Sequence, residues 1–236
     1  MTSMEFLRCK KVSNQRLMET MSEGLKERST AFQLMLEQCS SEFVKPILEA
    51  SYLKCFSLSL WSMDCTGIGG TIKNMIYRGS LYYITLWHVK GLKEDVFLLL
   101  GRCLIPNLTK LNLFATEVPT SALKRLIGSL KSILDSGRSN VFERLDLGET
   151  ELDSRLSFGC VQLLRSDLVG VFILRVKEDI SRAVVKSISS TVAKTKNLKY
   201  LDTGNKFSSG TKFNNFTLQE EARYFDSPFG VNPTVA

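Results

Sequence analysis

An α/β fold made of repeated strand-and-helix units, wound as a solenoid around one parallel sheet, is predicted by three features of the sequence. A six-residue phrase with apolar residues at its first, fourth and sixth places recurs along the chain. Its copies start far enough apart to fit a strand and a helix, and the stretches between them carry one-sided apolar stripes of helical spacing.

The phrase is clearest as Leu108-Thr-Lys-Leu111-Asn-Leu113 and as Phe142-Glu-Arg-Leu145-Asp-Leu147. Strand alternation turns the apolar residues inward and stands the residues between them on the opposite, concave face. Further copies are Cys55-Phe-Ser-Leu58-Ser-Leu60, Leu81-Tyr-Tyr-Ile84-Thr-Leu86, Val171-Phe-Ile-Leu174-Arg-Val176 and Leu198-Lys-Tyr-Leu201-Asp-Thr203. Starts at 55, 81, 108, 142, 171 and 198 are separated by 26, 27, 34, 29 and 27 residues. The long interval has its excess in Lys131 to Asn140, where Ser136-Gly-Arg-Ser-Asn140 reads as a surface loop. For the fifth strand, Leu168, Val171 and Ile173 fit the phrase as well as Val171, Leu174 and Val176; the second register is preferred because its intervals are more even.

An apolar residue ten positions after the start (Cys65, Val118, Leu152) marks the bend out of each strand. The helices follow. Leu123, Leu126, Ile127 and Leu130 fall at i, i+3, i+4 and i+7, and Val184, Val185, Ile188 and Val192 form a similar stripe.

From residue 55 to about residue 205 this pattern resembles the leucine-rich repeat superfamily, in unit length the ribonuclease-inhibitor type. The resemblance implies a concave parallel sheet, convex helices and a non-catalytic protein-binding scaffold. The usual asparagine three residues after the last strand leucine is replaced by Met63, Val89, Thr116 and Thr150. The two threonine hydroxyls are able to take over part of its backbone pairing.

The chain has 236 residues, 44% hydrophobic and 23% charged, a balance that suits one well-buried domain with flanks. The expected organisation is an N-terminal helical cap over residues 1–50, a repeat domain of about six units over 51–205, and a cap remnant with a flexible tail over 206–236. In the first segment Leu17, Met21 and Leu25 share one helical face, and Phe32, Met35, Leu36 and Cys39 another, while Pro46 starts or kinks a third helix. The run Leu34-Met-Leu-Glu-Gln-Cys39-Ser-Ser-Glu-Phe43 also resembles the elongin-binding helix of leucine-rich-repeat substrate receptors in cullin-RING ubiquitin ligases. That resemblance implies elongin and cullin partners.

No stretch approaches the roughly 18 consecutive apolar residues of a membrane span, and the N-terminus lacks the apolar core of a secretory signal. A cytoplasmic or nuclear protein is expected. The six cysteines form no CxxC pair and are read as reduced, largely core-packing thiols. With His88 the one histidine, no metal site is expected, and no cofactor. The net charge of +7 is spread along the predicted helices, so a nucleic-acid groove is not expected.

Catalytic signals are weak. Thr66-Gly-Ile-Gly-Gly-Thr-Ile-Lys73 lacks the Gly-Lys-Ser/Thr ending of a phosphate loop, and Gly69 suits a repeat turn. His88 has no evident nucleophile, and the carboxylates Glu143, Asp146, Glu149 and Glu151 alternate with Arg144 as on a solvated face. The chain is therefore read as an interaction module rather than an enzyme, with an enzyme of unidentified class as the contrasting hypothesis. Trp61, Trp87 and Phe114 occupy one place, the residue after the last strand leucine, and should align as an aromatic stripe. With Tyr83, Lys110, Arg144 and Arg175 they form the candidate protein-binding set, aromatic and arginine side chains being the usual interface anchors. Two states of the stripe are open: exposed, or covered by the N-terminal helices.

Overall fold

Alternating apolar residues become strands because each second side chain can enter a shared interior, and the recurring phrases do pair with their neighbours. The structure, a computed structural model, describes residues 2–9, 15–27, 30–51, 54–78, 81–103, 108–135, 142–148, 154–165, 169–174, 182–192 and 194–202. Its strands are β1 (Thr2–Leu7), β2 (Phe32–Glu37), β3 (Cys55–Trp61), β4 (Tyr83–Trp87), β5 (Lys110–Asn112), β6 (Phe142–Asp146), β7 (Val169–Ile173) and β8 (Tyr200–Asp202). They form one eight-stranded sheet in chain order, every pairing parallel. Between them lie α1 (Gln15–Glu27), α2 (Ser41–Ser51), α3 (Gly69–Arg78), α4 (Glu94–Cys103), α5 (Thr120–Asp135), α6 (Ser154–Arg165) and α7 (Arg182–Val192). Each helix packs on the next, so the helices form a second layer in the same order.

Register builds the core. Leu58, Ile84, Leu111, Leu145, Phe172 and Leu201 stand opposite one another in successive strands. All but the half-buried Leu201 are at most 2% exposed. Two residues on, Leu60, Leu86, Leu113, Leu147 and Leu174 are equally buried. The helices cover these rows with Val44, Ile47, Ile72, Val96, Phe97, Leu123 and Leu126, all buried. The stripe expected on α5 is the buried one, and on α7 Ile188 and Val192 are buried. Close helix packing uses a small residue: a Cβ on Gly159 of α6 would lie 2.9 Å from a methyl of Ile127 on α5. The bend residues Cys65 and Val118 are buried. Leu152, Thr150, the Ser136–Asn140 loop and the segment from 206 onward lie outside the described residues.

Two expectations are corrected. Residues 1–50 are not a helical cap but two more strand-and-helix units, β1–α1 and β2–α2, so nothing architectural begins at residue 51. Phe32, Leu34 and Leu36 are wholly buried, and Leu34 and Leu36 align with Leu58 and Leu60. A helix would have spread those three residues around its axis. Pro46 lies inside α2, which starts at Ser41. The fifth phrase is Val169-Gly-Val-Phe172-Ile-Leu174, since Phe172 pairs opposite Leu145. Its spacings, 27 residues from Leu145 to Phe172 and 29 from Phe172 to Leu201, are as even as those of the expected register. Val171 and Ile173 are equally apolar, so hydropathy could not choose between faces.

Leu145 is wholly enclosed, and Leu145→Ala should lower unfolding free energy by about 2–5 kcal/mol through lost contacts and a residual cavity. Urea denaturation measures this, and an unchanged midpoint would remove Leu145 from the core.

Cys55, Cys65 and Cys160 are buried thiols, pushed by desolvation from the ordinary 9.0 up to about 12. A folded value above the unfolded one means that their contribution to stability is complete below pH 9.0 and declines as pH climbs toward about 12. Iodoacetamide at pH 8 should leave these three unlabelled in the native chain and label all of them in urea, as read by mass spectrometry. Native labelling at the same rate would contradict the packing.

Candidate protein-binding face

On the sheet face opposite the helices, side chains at equivalent places form rows that cross the strands. One row runs Gln33, Ser57, Tyr83, Lys110 and Arg144; the next runs Met35, Ser59, Thr85, Asn112 and Asp146. At the strand ends lie Glu37, Trp61 and Trp87 in register, then Phe114.

The expected aromatic alignment is present as a stack. Neighbouring parallel strands are about 4.8 Å apart, which suits rings laid face to face. Trp61 and Trp87 stack at 5.5 Å with 20° between planes, and Trp87 and Phe114 at 4.3 Å with 26°. Phe114 is buried, while both tryptophans are half-buried. The helices α1 and α2 pack within the helix layer, α1 against α2 and α2 against α3, rather than as a cover over these rings.

The turn after each strand aims these rings. Arg8, Gln38, Ser62, His88 and Ala115, at one equivalent place in five units, all have φ between 50° and 57°. A side chain in the left-handed region costs roughly 1–2 kcal/mol. Each is offset by a bond to the next unit: their N–H groups donate to the carbonyls of Glu37, Trp61, Trp87, Phe114 and Gly148 at 2.7–3.0 Å. The polar ladder expected of Thr116 also exists. Its hydroxyl donates to the Leu86 carbonyl at 2.6 Å and accepts the Val89 N–H at 3.4 Å. Cys39 does the same work three units earlier, its thiol reaching the carbonyls of Phe6 and Glu37, both at 3.3 Å.

Gly148 terminates the stack and was not anticipated. A Cβ there would come within 2.6 Å of Cδ2 of Phe114, so the ring lies over a position that only glycine leaves open. Its signal in the sequence was faint, a lone glycine where preceding units carry Trp61, Trp87 and Phe114. Asn112 and Asp146, opposite each other, fix the two strand ends by accepting the N–H groups of Phe114 at 2.8 Å and Gly148 at 3.0 Å.

The polar part of the face is paired. Lys110 Nζ lies 4.6 Å over the Tyr83 ring and 2.8 Å from Glu143, and the guanidinium of Arg144 is 3.3 Å from buried Asp146. The first pair is more than a third exposed and orients the lysine with little gain in stability. Phe56 meets Tyr83 edge-on at 6.3 Å. Of the seven predicted site residues, Trp61, Tyr83, Trp87, Lys110, Phe114 and Arg144 thus share one face, and Arg175 lies outside the described residues. Met35 and Glu37, which adjoin the site, were missed because their segment was read as helix.

The same strand removes the basis of the cullin-RING resemblance. Leu34 and Leu36 of β2 and Cys39 just beyond it are buried in the interior rather than displayed on a helix. In the glycine-rich stretch Lys73 is engaged by Asp95 at 2.6 Å, which holds that carboxyl below its usual range. No group of metal-ligating side chains occurs among the described residues, and no helix among them is long and apolar enough to cross a membrane.

Gly148→Ala should displace the Phe114 ring at a cost of about 1–3 kcal/mol, the usual scale of overpacking. Thermal melting and near-ultraviolet circular dichroism of the adjoining tryptophans would report it; wild-type values in both would show that the ring does not depend on the glycine. Compared with known protein families and with curated proteins, the chain matches none.

Proposed function

We propose that this chain is a leucine-rich-repeat solenoid that acts as a non-catalytic protein-interaction module, binding a protein partner on the sheet face opposite the helices. Residence in the cytosol or nucleus belongs to this reading. Support comes from strands and helices that follow one another in chain order, and from backbone ladders that join each strand end to the next. The observation that carries the function is the stack of Trp61, Trp87 and Phe114, two of its rings still half open to solvent. Stacked rings are already ordered, so a partner covering them removes apolar area from water with little further loss of side-chain freedom. Lys110, Tyr83 and Arg144 give the rim of that surface its polar contacts, which select a partner more than they add affinity. No observation favours the ubiquitin-ligase reading once its helix is replaced by β2.

Affinity purification of the wild-type chain, followed by titration of the recovered partner, tests the reading. Trp87→Ala should weaken the partner by roughly 2 kcal/mol, about 30-fold, in a chain that remains folded by circular dichroism. Acrylamide should quench the tryptophans of the free chain, and the bound partner should shield them. Undiminished binding by the folded variant would overturn the site.

A further inference from the structure

The edge unit and its neighbour each carry a thiol at the same place of the pattern, Cys9 and Cys39. Among the described residues β1 is the outermost strand of the sheet and pairs with β2 alone. Past its last paired residue, Leu7 opposite Glu37, the chain stays in step with its neighbour. Arg8 N–H donates to the Glu37 carbonyl at 2.7 Å, and Ser40 N–H to the Cys9 carbonyl at 3.3 Å. These bonds continue the register of the two strands and place Cys9 opposite Cys39. Adjacent parallel chains are about 4.8 Å apart, within the range of Cα separations a disulfide spans. The thiols differ in access, Cys39 being buried and Cys9 half-buried.

We propose that Cys9 and Cys39 are a redox site, forming a reversible disulfide that fastens the edge unit to β2 when a small-molecule disulfide such as oxidised glutathione rises. The accessible Cys9, having lost its proton, attacks one sulfur of the oxidant, whose S–S bond breaks. One small thiol leaves and takes up that proton. Cys39 then attacks Sγ of Cys9 and displaces the second small thiol, which carries away the proton from Cys39. Two protein thiols are oxidised and one small disulfide is reduced to two thiols. Burial pushes Cys39 up to about 11, so in the reduced chain it is a poor nucleophile toward reagents in solution. The attack on Cys9 is different because the paired backbones already hold the two residues opposite each other. Met4 and Phe6 are only partly buried and Leu7 is 52% exposed, so β1, held through β2 as the edge strand, should open before the strands inside the sheet. A crosslink beside it acts where opening is easiest.

The test is incubation of the full chain in glutathione buffers of increasing oxidation, then alkylation, digestion and mass spectrometry, with hydrogen exchange on the same samples. A peptide linking Cys9 to Cys39 should appear, vanish with dithiothreitol, and be accompanied by exchange in Thr2–Leu7 slower by up to roughly several hundredfold, as expected for closing a loop of about 30 residues. Cys9→Ser should abolish both effects and Cys65→Ser neither. Because Cys9 is half-buried, its serine variant should remain folded, which an unchanged circular dichroism spectrum verifies. The proposal is overturned by glutathione remaining on Cys9 alone, by linkage to another cysteine, by no linkage at any buffer ratio, or by a linkage that leaves edge exchange unchanged.

Discussion

One-to-one parallel register is the constraint on which the rest of the molecule depends. Every strand pairs with the next so that equivalent residues face each other, with one irregularity, between Phe32 and Gln33. A slip of one residue in any pair would send its leucines to solvent and its polar residues into the core. Register also decides neighbours across units, since like stands beside like. For leucines this is favourable, because apolar side chains add to one continuous interior. Charges make it a difficulty. Lys110 stands beside Arg144, and the repulsion is relieved because Glu143 and Asp146 each take one of the cations.

The same register turns a strained turn into a shared solution. A lone left-handed residue without a glycine is unfavourable, but here five successive ones each place an N–H against the next unit's carbonyl. The turn in one unit is therefore completed only by its neighbour. Inside that turn, Thr116 and Cys39 answer the same demand with different chemistry, a hydroxyl or a thiol bonding backward to the carbonyl that closes the previous strand. Met63 and Val89 occupy the equivalent places, buried and unable to bond. The backbone ladder alone suffices for those units.

Legibility in the sequence followed how sharply residues distinguish the two faces. Leu111, Leu113, Leu145 and Leu147 alternate with Asn112, Arg144 and Asp146, so phrase, register and pairing were all readable there. In Val169 to Leu174 both faces are apolar, and the register could be found only from hydrogen bonding. Phe32 to Glu37 failed for a different reason. Phe32, Met35, Leu36 and Cys39 fit a helical stripe as well as Phe32 to Leu36 fit a strand buried on both sides, and five of the six residues of β2 are in fact buried. The signal that could have decided was Cys39, three residues past Leu36 at the place Thr116 holds relative to Leu113. The aromatic row was legible because it needs only register. Its closing residue was not, since the need for Gly148 appears only once the Phe114 ring is in place.

The limits of that row bear on what the proposed partner must look like. On one side the row passes from Trp61 to Glu37, and on the other Phe114 closes over Gly148. The apolar strip is thus three units wide, spanning roughly 10 Å from the first strand to the third. Behind it Ser57 and Ser59 lie low between the larger Met35 and Tyr83. A strip this narrow accommodates one or two large side chains rather than a broad apolar surface, so most of the contact area of the partner would fall on the polar rows. Affinity would then concentrate in the rings, and selectivity in Lys110, Glu143, Arg144 and Asp146, whose mutual pairing a mismatched partner would have to break without replacing.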